Sequence, residues 1–120
     1  MNRLMIAAAL LAGAGAAYAQ ESQDPTSLAQ YQSNGTTAIG VGGVAWSTTV
    51  VLTGTVNGSV DATPPRHRLR VEVRPVADPF LGTYTHEATT LVTVGQTSTV
   101  TVSGLVAGAA YHWRAQTYKT

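Results

Sequence analysis

The amino-acid sequence predicts an all-β sandwich of two antiparallel sheets. Three observations predict it: short runs alternate apolar and polar residues with period two, Gly, Asn, Pro and Ser interrupt them at close intervals, and no helical period follows Ala19. The clearest strand is His67–Pro75, where Leu69, Val71 and Val73 fall on one face and Arg68, Arg70, Glu72 and Arg74 on the other. That pattern describes a strand packed on a core with its back in water.

The other strands follow the same rule. Residues 49–56 place Val50, Leu52 and Val56 on one face with Gly54, and residues 98–103 place Val100 and Val102 inward. Residues 110–117 set Tyr111, Trp113 and Ala115 inward and His112, Arg114 and Gln116 outward. Weaker strand patterns cover residues 27–32, 37–41 and 84–94, with Pro75 and Pro79 bounding a loop because proline cannot donate to a ladder.

The first residues have another character. Arg3, an apolar run over 4–16, and Ala17-Tyr18-Ala19 before Gln20 form the pattern of a secretory signal peptide with a small-x-small cleavage site. The run is about 13 residues, short of the roughly 20 that span a bilayer as a helix. No twin arginine is present, and no cysteine stands at the cleavage point to carry a lipid. The expected organisation is a signal peptide over 1–19, a flexible polar lead-in over 20–26, and one sandwich domain over 27–120. The mature product is expected in the periplasm or outside the cell, without a membrane span.

Charge and composition narrow the function. Without the leader, the cations Arg66, Arg68, Arg70, Arg74, Arg114 and Lys119 are matched by Glu21, Asp24, Asp61, Glu72, Asp78 and Glu87, leaving a neutral chain. Such a chain has no global field to attract nucleic acid or anionic membrane. The absence of cysteine excludes disulfides, thiolate metal sites and thiol nucleophiles, so the core alone must hold the fold.

Few residues suggest chemistry. His67, His86 and His112, with Asp61 and Glu87, match no metal-ligand spacing, and no serine lies in a Gly-x-Ser-x-Gly elbow; neither a metal, a cofactor nor catalysis is expected. Arg68, Arg70, Arg74, His112 and Arg114 share one sheet face. They form either a basic patch for an acidic polysaccharide or protein, or a solvated face on which Glu72 pairs with Arg70 or Arg114. Trp46 is expected to close one end of a core that has few large residues. Asn34-Gly35 and Asn57-Gly58 read as turns before they read as glycosylation sequons.

Near the end, Leu105, Gly108 and Tyr111, with Trp113 two residues on, resemble the corner of a fibronectin type III domain. Together with Ser27 to Gln32, the turn Gly40-Val41-Gly42-Gly43 and the strand ending at Pro75, the resemblance covers residues 27–118 and is nearer to bacterial versions of this immunoglobulin-like module. It implies that the Tyr111 hydroxyl bonds back to the backbone upstream and that Trp113 lies in the core. It also implies a further strand after Tyr118, for which the sequence given has no residues. Three readings follow: a fragment of a larger protein, a sufficient six-stranded sandwich whose edge is guarded by Arg114, Gln116 and Lys119, or completion by an extended segment such as 20–32 of a neighbouring subunit.

The function implied is a secreted, non-enzymatic binding or spacer module for an unidentified protein or polysaccharide, with loops 40–43, 57–65 and 77–83 as contacts. The alternatives are an assembly subunit that self-associates through its open edge strand, and an accessory piece of a larger carbohydrate-active or surface protein.

Overall fold

A computed structural model of the chain describes the backbone of Leu4–Ala7 and residues 24–120. The expected cleavage site at Ala17-Tyr18-Ala19 and the start of the lead-in lie outside the described residues. Among the described residues there are eight strands and no helix: β1 (Leu4–Ala7), β2 (Thr26–Tyr31), β3 (Gly43–Ala45), β4 (Val50–Thr55), β5 (His67–Pro75), β6 (His86–Glu87), β7 (Thr97–Val102) and β8 (Ala110–Lys119). They form two sheets, ordered β3-β1-β8-β5-β6 and β2-β4-β7. This is the two-layer all-β architecture that the alternation predicts.

The longest ladder joins β5 to β8 in antiparallel register from His67↔Lys119 to Pro75↔Tyr111. Opposed residues share a face. Leu69, Val71 and Val73 therefore point inward with Trp113 and Ala115, where they meet Val50, Leu52, Val100 and Val102 of the facing sheet. Gly54 lets the two sheets close. A Cβ there would stand 2.7 Å from Leu28 Cδ2 and 3.2 Å from Leu69 Cδ1.

Two weak strand patterns shrink. Over 37–41 only Ala38 bridges to Tyr31, because the chain turns at Gly40, whose carbonyl accepts the Gly43 amide at 2.8 Å, and the strand forms afterwards at β3. Over 84–94 the pairing is limited to β6 and a bridge from Val92 to His67.

The core contains a polar joint. The Trp113 indole N–H donates to Gln30 Oε1 at 2.8 Å, and Gln30 Nε2 donates to the Gly40 carbonyl at 2.9 Å. Two residues on, just past the end of β2, Gln32 donates to the Val44 carbonyl at 3.0 Å and accepts the Trp46 amide at 2.7 Å. Both glutamines are buried. At the opposite turn, the Tyr111 hydroxyl accepts the Val106 amide at 2.9 Å, and Gly108, at φ +82°, supplies the left-handed residue between them.

Two stability effects follow from these bonds. Gln30→Leu leaves the buried indole N–H of Trp113 without that acceptor and should destabilise the fold by about 2 kcal/mol; an unchanged urea midpoint would contradict the joint. Tyr111→Phe removes an acceptor from an amide near the surface and should cost about 1 kcal/mol in the same measurement.

Candidate functional site

The outer face of the β5–β8 ladder collects the cations singled out in the sequence. The register sets Arg68 opposite Tyr118, Arg70 opposite Gln116, Glu72 opposite Arg114 and Arg74 opposite His112. A strand with its back in water is the sequence expectation here, and the structure corrects it: Glu72, His112, Arg114 and Gln116 are buried. The physical reason is the connection from β5 to β6, which folds back across the face.

Glu72 anchors that connection. Its carboxylate, with no side-chain exposure, accepts the Leu81 amide at 2.6 Å, the Gly82 amide at 3.3 Å, Arg74 Nε at 2.8 Å and Arg114 Nε at 3.0 Å. The pair named beforehand as Glu72 with Arg70 or Arg114 thus forms with Arg114, while Arg70 turns to Glu87 at 2.9 Å. Burial alone raises the Glu72 carboxyl. Hydrogen bonds from Leu81, Arg74 and Arg114, with the Arg114 charge, outweigh it and hold the group below its ordinary value of 4.5.

Aromatic rings complete the cover. Phe80 stacks on the His112 ring with centroids 4.1 Å apart and lies 4.7 Å from the Arg114 guanidinium carbon. Arg70 sits between Tyr118 at 3.4 Å and Tyr84 at 4.0 Å. Such contacts stabilise by about 1 kcal/mol each where partly desolvated. His112 donates through Nε2 to the Asp78 carbonyl at 2.8 Å, and Arg74 donates to Thr83 at 3.2 Å. Arg68 reaches the Ala88 carbonyl at 3.1 Å and Glu87 at 3.4 Å. The five basic residues are brought together, and carboxylates, carbonyls and rings of the same molecule engage each of them.

The histidines are not gathered. His67 faces inward at the start of β5 and pairs with Asp61 at 3.0 Å, both side chains fully buried, with Lys119 3.9 Å from the second carboxylate oxygen. His86 Nδ1 lies 2.8 Å from Thr85 Oγ1, and burial lowers its affinity for a proton. His112 is on the outer face, seven β5 positions from the His67 pair, about 23 Å along the strand. Among the described residues no group of three His, Cys, Asp or Glu is placed to hold a metal ion, and no pocket is formed.

The expectation for Trp46 is overturned. It is 63% exposed, because Ala45 takes the inward position at the end of β3 and Trp46 follows on the opposite side. Val44, 40% exposed, and Val41, 65% exposed, lie in the same segment. A non-local contact holds the backbone here, the Gln32 amide bonded to Val44 and Trp46, and nothing in the local pattern announces it. Loop 77–83 is tied down by Glu72, and in loop 57–65 the Asp61 side chain is buried while Val60 is exposed. No protein-family model, curated protein or solved structure matches the chain.

The titrations carry signs. His86 binds a proton more readily unfolded than folded, so stability falls as pH drops below its ordinary value of 6.5. The Glu72 contribution is full above 4.5 and is lost as pH falls through the lower folded value. Glu72→Gln should cost about 3 kcal/mol at neutral pH by breaking a buried ion pair, and should flatten the stability profile below pH 4.5. A variant profile parallel to wild type in that range would refute the assignment to Glu72.

Proposed function

We propose that the chain is a secreted, non-enzymatic binding module of fibronectin type III-like kind, and that it meets its partner, a protein or polysaccharide surface, at the corner formed by Val41, Val44 and Trp46. The observation that carries this reading is the exposure of Trp46 on a backbone fixed by Gln32. A large ring held on a rigid strand end offers contact area with little ordering cost. Val41 and Val44, exposed in the same segment, add apolar surface to it.

The basic face supports this choice indirectly. Its cations already hold partners within the molecule, so an acidic ligand would have to displace the buried Glu72 and the half-buried Glu87 to reach them. The bond from Val106 to the Tyr111 hydroxyl and the two-sheet architecture support the domain type. The apolar start of the chain, with Ala17-Tyr18-Ala19, supports export.

Trp46→Ala separates binding from folding. With the backbone bond to Gln32 retained and the ring exposed, stability should change by less than about 0.5 kcal/mol. In co-sedimentation with insoluble cell-wall polysaccharide and with intact cells, wild type should be retained and the variant lost. Equal retention of the two proteins, or of neither, would overturn the Trp46 corner as the contact surface.

A further inference from the structure

The five-stranded sheet contains a position whose occupant is unusual. β1 lies between β3 and β8, antiparallel to β3 (Leu4↔Ala45, Met5↔Val44, Ile6↔Gly43) and parallel to β8 (Met5↔Ala110, Ile6↔Tyr111, Ala7↔His112). These are residues of the apolar run that reads as a signal peptide. On removal of residues 1–19, the position they fill has lost its strand.

Both walls of that position are held without β1. β8 is fixed by its long ladder to β5. β3 is fixed by the Gln32 amide on Val44 and Trp46, by the Gly43–Gly40 turn, and by Gln30 on the Gly40 carbonyl. Along a strand, successive backbone groups point to alternate edges. The groups of Val44 and Trp46 that Gln32 engages lie on one edge, and the Gly43 carbonyl with the N–H and C=O of Ala45 is left for the position beside β8, the Gly43 amide being held by Gly40. Cleavage therefore leaves two strand edges facing one another across a gap one strand wide.

We infer that this gap is a strand-acceptor site, closed by Leu4–Ala7 in the precursor and open in the mature protein to an extended apolar segment of a partner protein. The inference rests on reading the chain as an exported binding module, and it names the partner class of the same corner. The filler defines the chemistry: Leu-Met-Ile-Ala is apolar throughout, as suits a strand flanked on both sides within a sheet. Backbone bonds supply affinity and the alternate side chains supply specificity. A partner strand one residue longer at its start lies opposite Trp46 in the β1 register, which joins the acceptor to the exposed ring.

A second copy of the mature chain is a poorer donor. Its apolar runs Val50-Val51-Leu52 and Val100 to Val102 are already core strands, and the 20–32 segment contributes Thr26–Tyr31 to a ladder with β4 and has a polar start. Donating either would dismantle its own sandwich.

The test uses the full chain, which has no native cysteine. Met5→Cys with Ala110→Cys should form an intramolecular disulfide under mild oxidation, whereas Met5→Cys with Thr101→Cys, on the other sheet, should not. Absence of the first crosslink would overturn the filler. Ile6→Pro breaks β1 and should lower the thermal midpoint. A synthetic peptide of residues 2–9, added in trans, should raise it again in a concentration-dependent way, and the same peptide with Ile6→Lys should not. No gain with peptide would sink the acceptor, and self-association of Ile6→Pro without peptide uptake would replace the partner by a second copy. Mass spectrometry of exported protein tests removal of 1–19 separately, and peptide rescue in a Trp46→Ala background keeps the acceptor distinct from the Trp46 contact.

Discussion

The hydrogen bond from Trp113 to Gln30 is the constraint on which the arrangement depends. A fully buried indole brings a donor into a core of valine, leucine and alanine, and that donor must be matched. Gln30 answers from the opposite sheet, so β2 is drawn into register against β8 even though the two strands never pair. The nitrogen of the same amide then donates to the Gly40 carbonyl at the turn before β3. One polar side chain thereby links both sheets and the segment that leads to the exposed corner.

The outer face solves a related problem in the opposite manner. There the charges come first, and a loop comes to them. Glu72 gathers two guanidinium groups and two backbone amides, so the connection after Pro75 returns over the sheet instead of standing away from it. Phe80 and Tyr84 then cover guanidinium groups that the carboxylates have already neutralised. The result is a sheet buried on both faces along much of β8, with its polar face occupied from within.

Much of the sandwich was legible in the sequence because β4, β5, β7 and β8 each alternate cleanly, and period two assigns faces directly. Leu4–Ala7 was not legible as a strand. An unbroken apolar run has the same appearance in a leader, a buried strand or a buried helix, and periodicity cannot separate them. Arg114 and Gln116 read as solvated because alternation reports which face a residue takes, not what later returns to cover it. Glu72 carried a partial signal, since an acid between arginines on one strand face is set for pairing.

Trp46 failed for a reason that clarifies its role. Size favours burial of tryptophan, but a strand offers the core only every second position, and Ala45 holds that position. A slip of one residue would exchange the two and place the ring inside. The turn opposes the slip, because placing the ring inside would move Val44 to the position of Gly43, where a Cβ stands 2.8 Å from the Gly40 carbonyl oxygen and from Ile39 Cγ2. The exposed ring is therefore specified by the glycine turn before it, and a buried side chain just past the end of β2 holds its backbone. That same side chain helps to keep β3 in place beside the position of β1, so the ring and the strand position share one support.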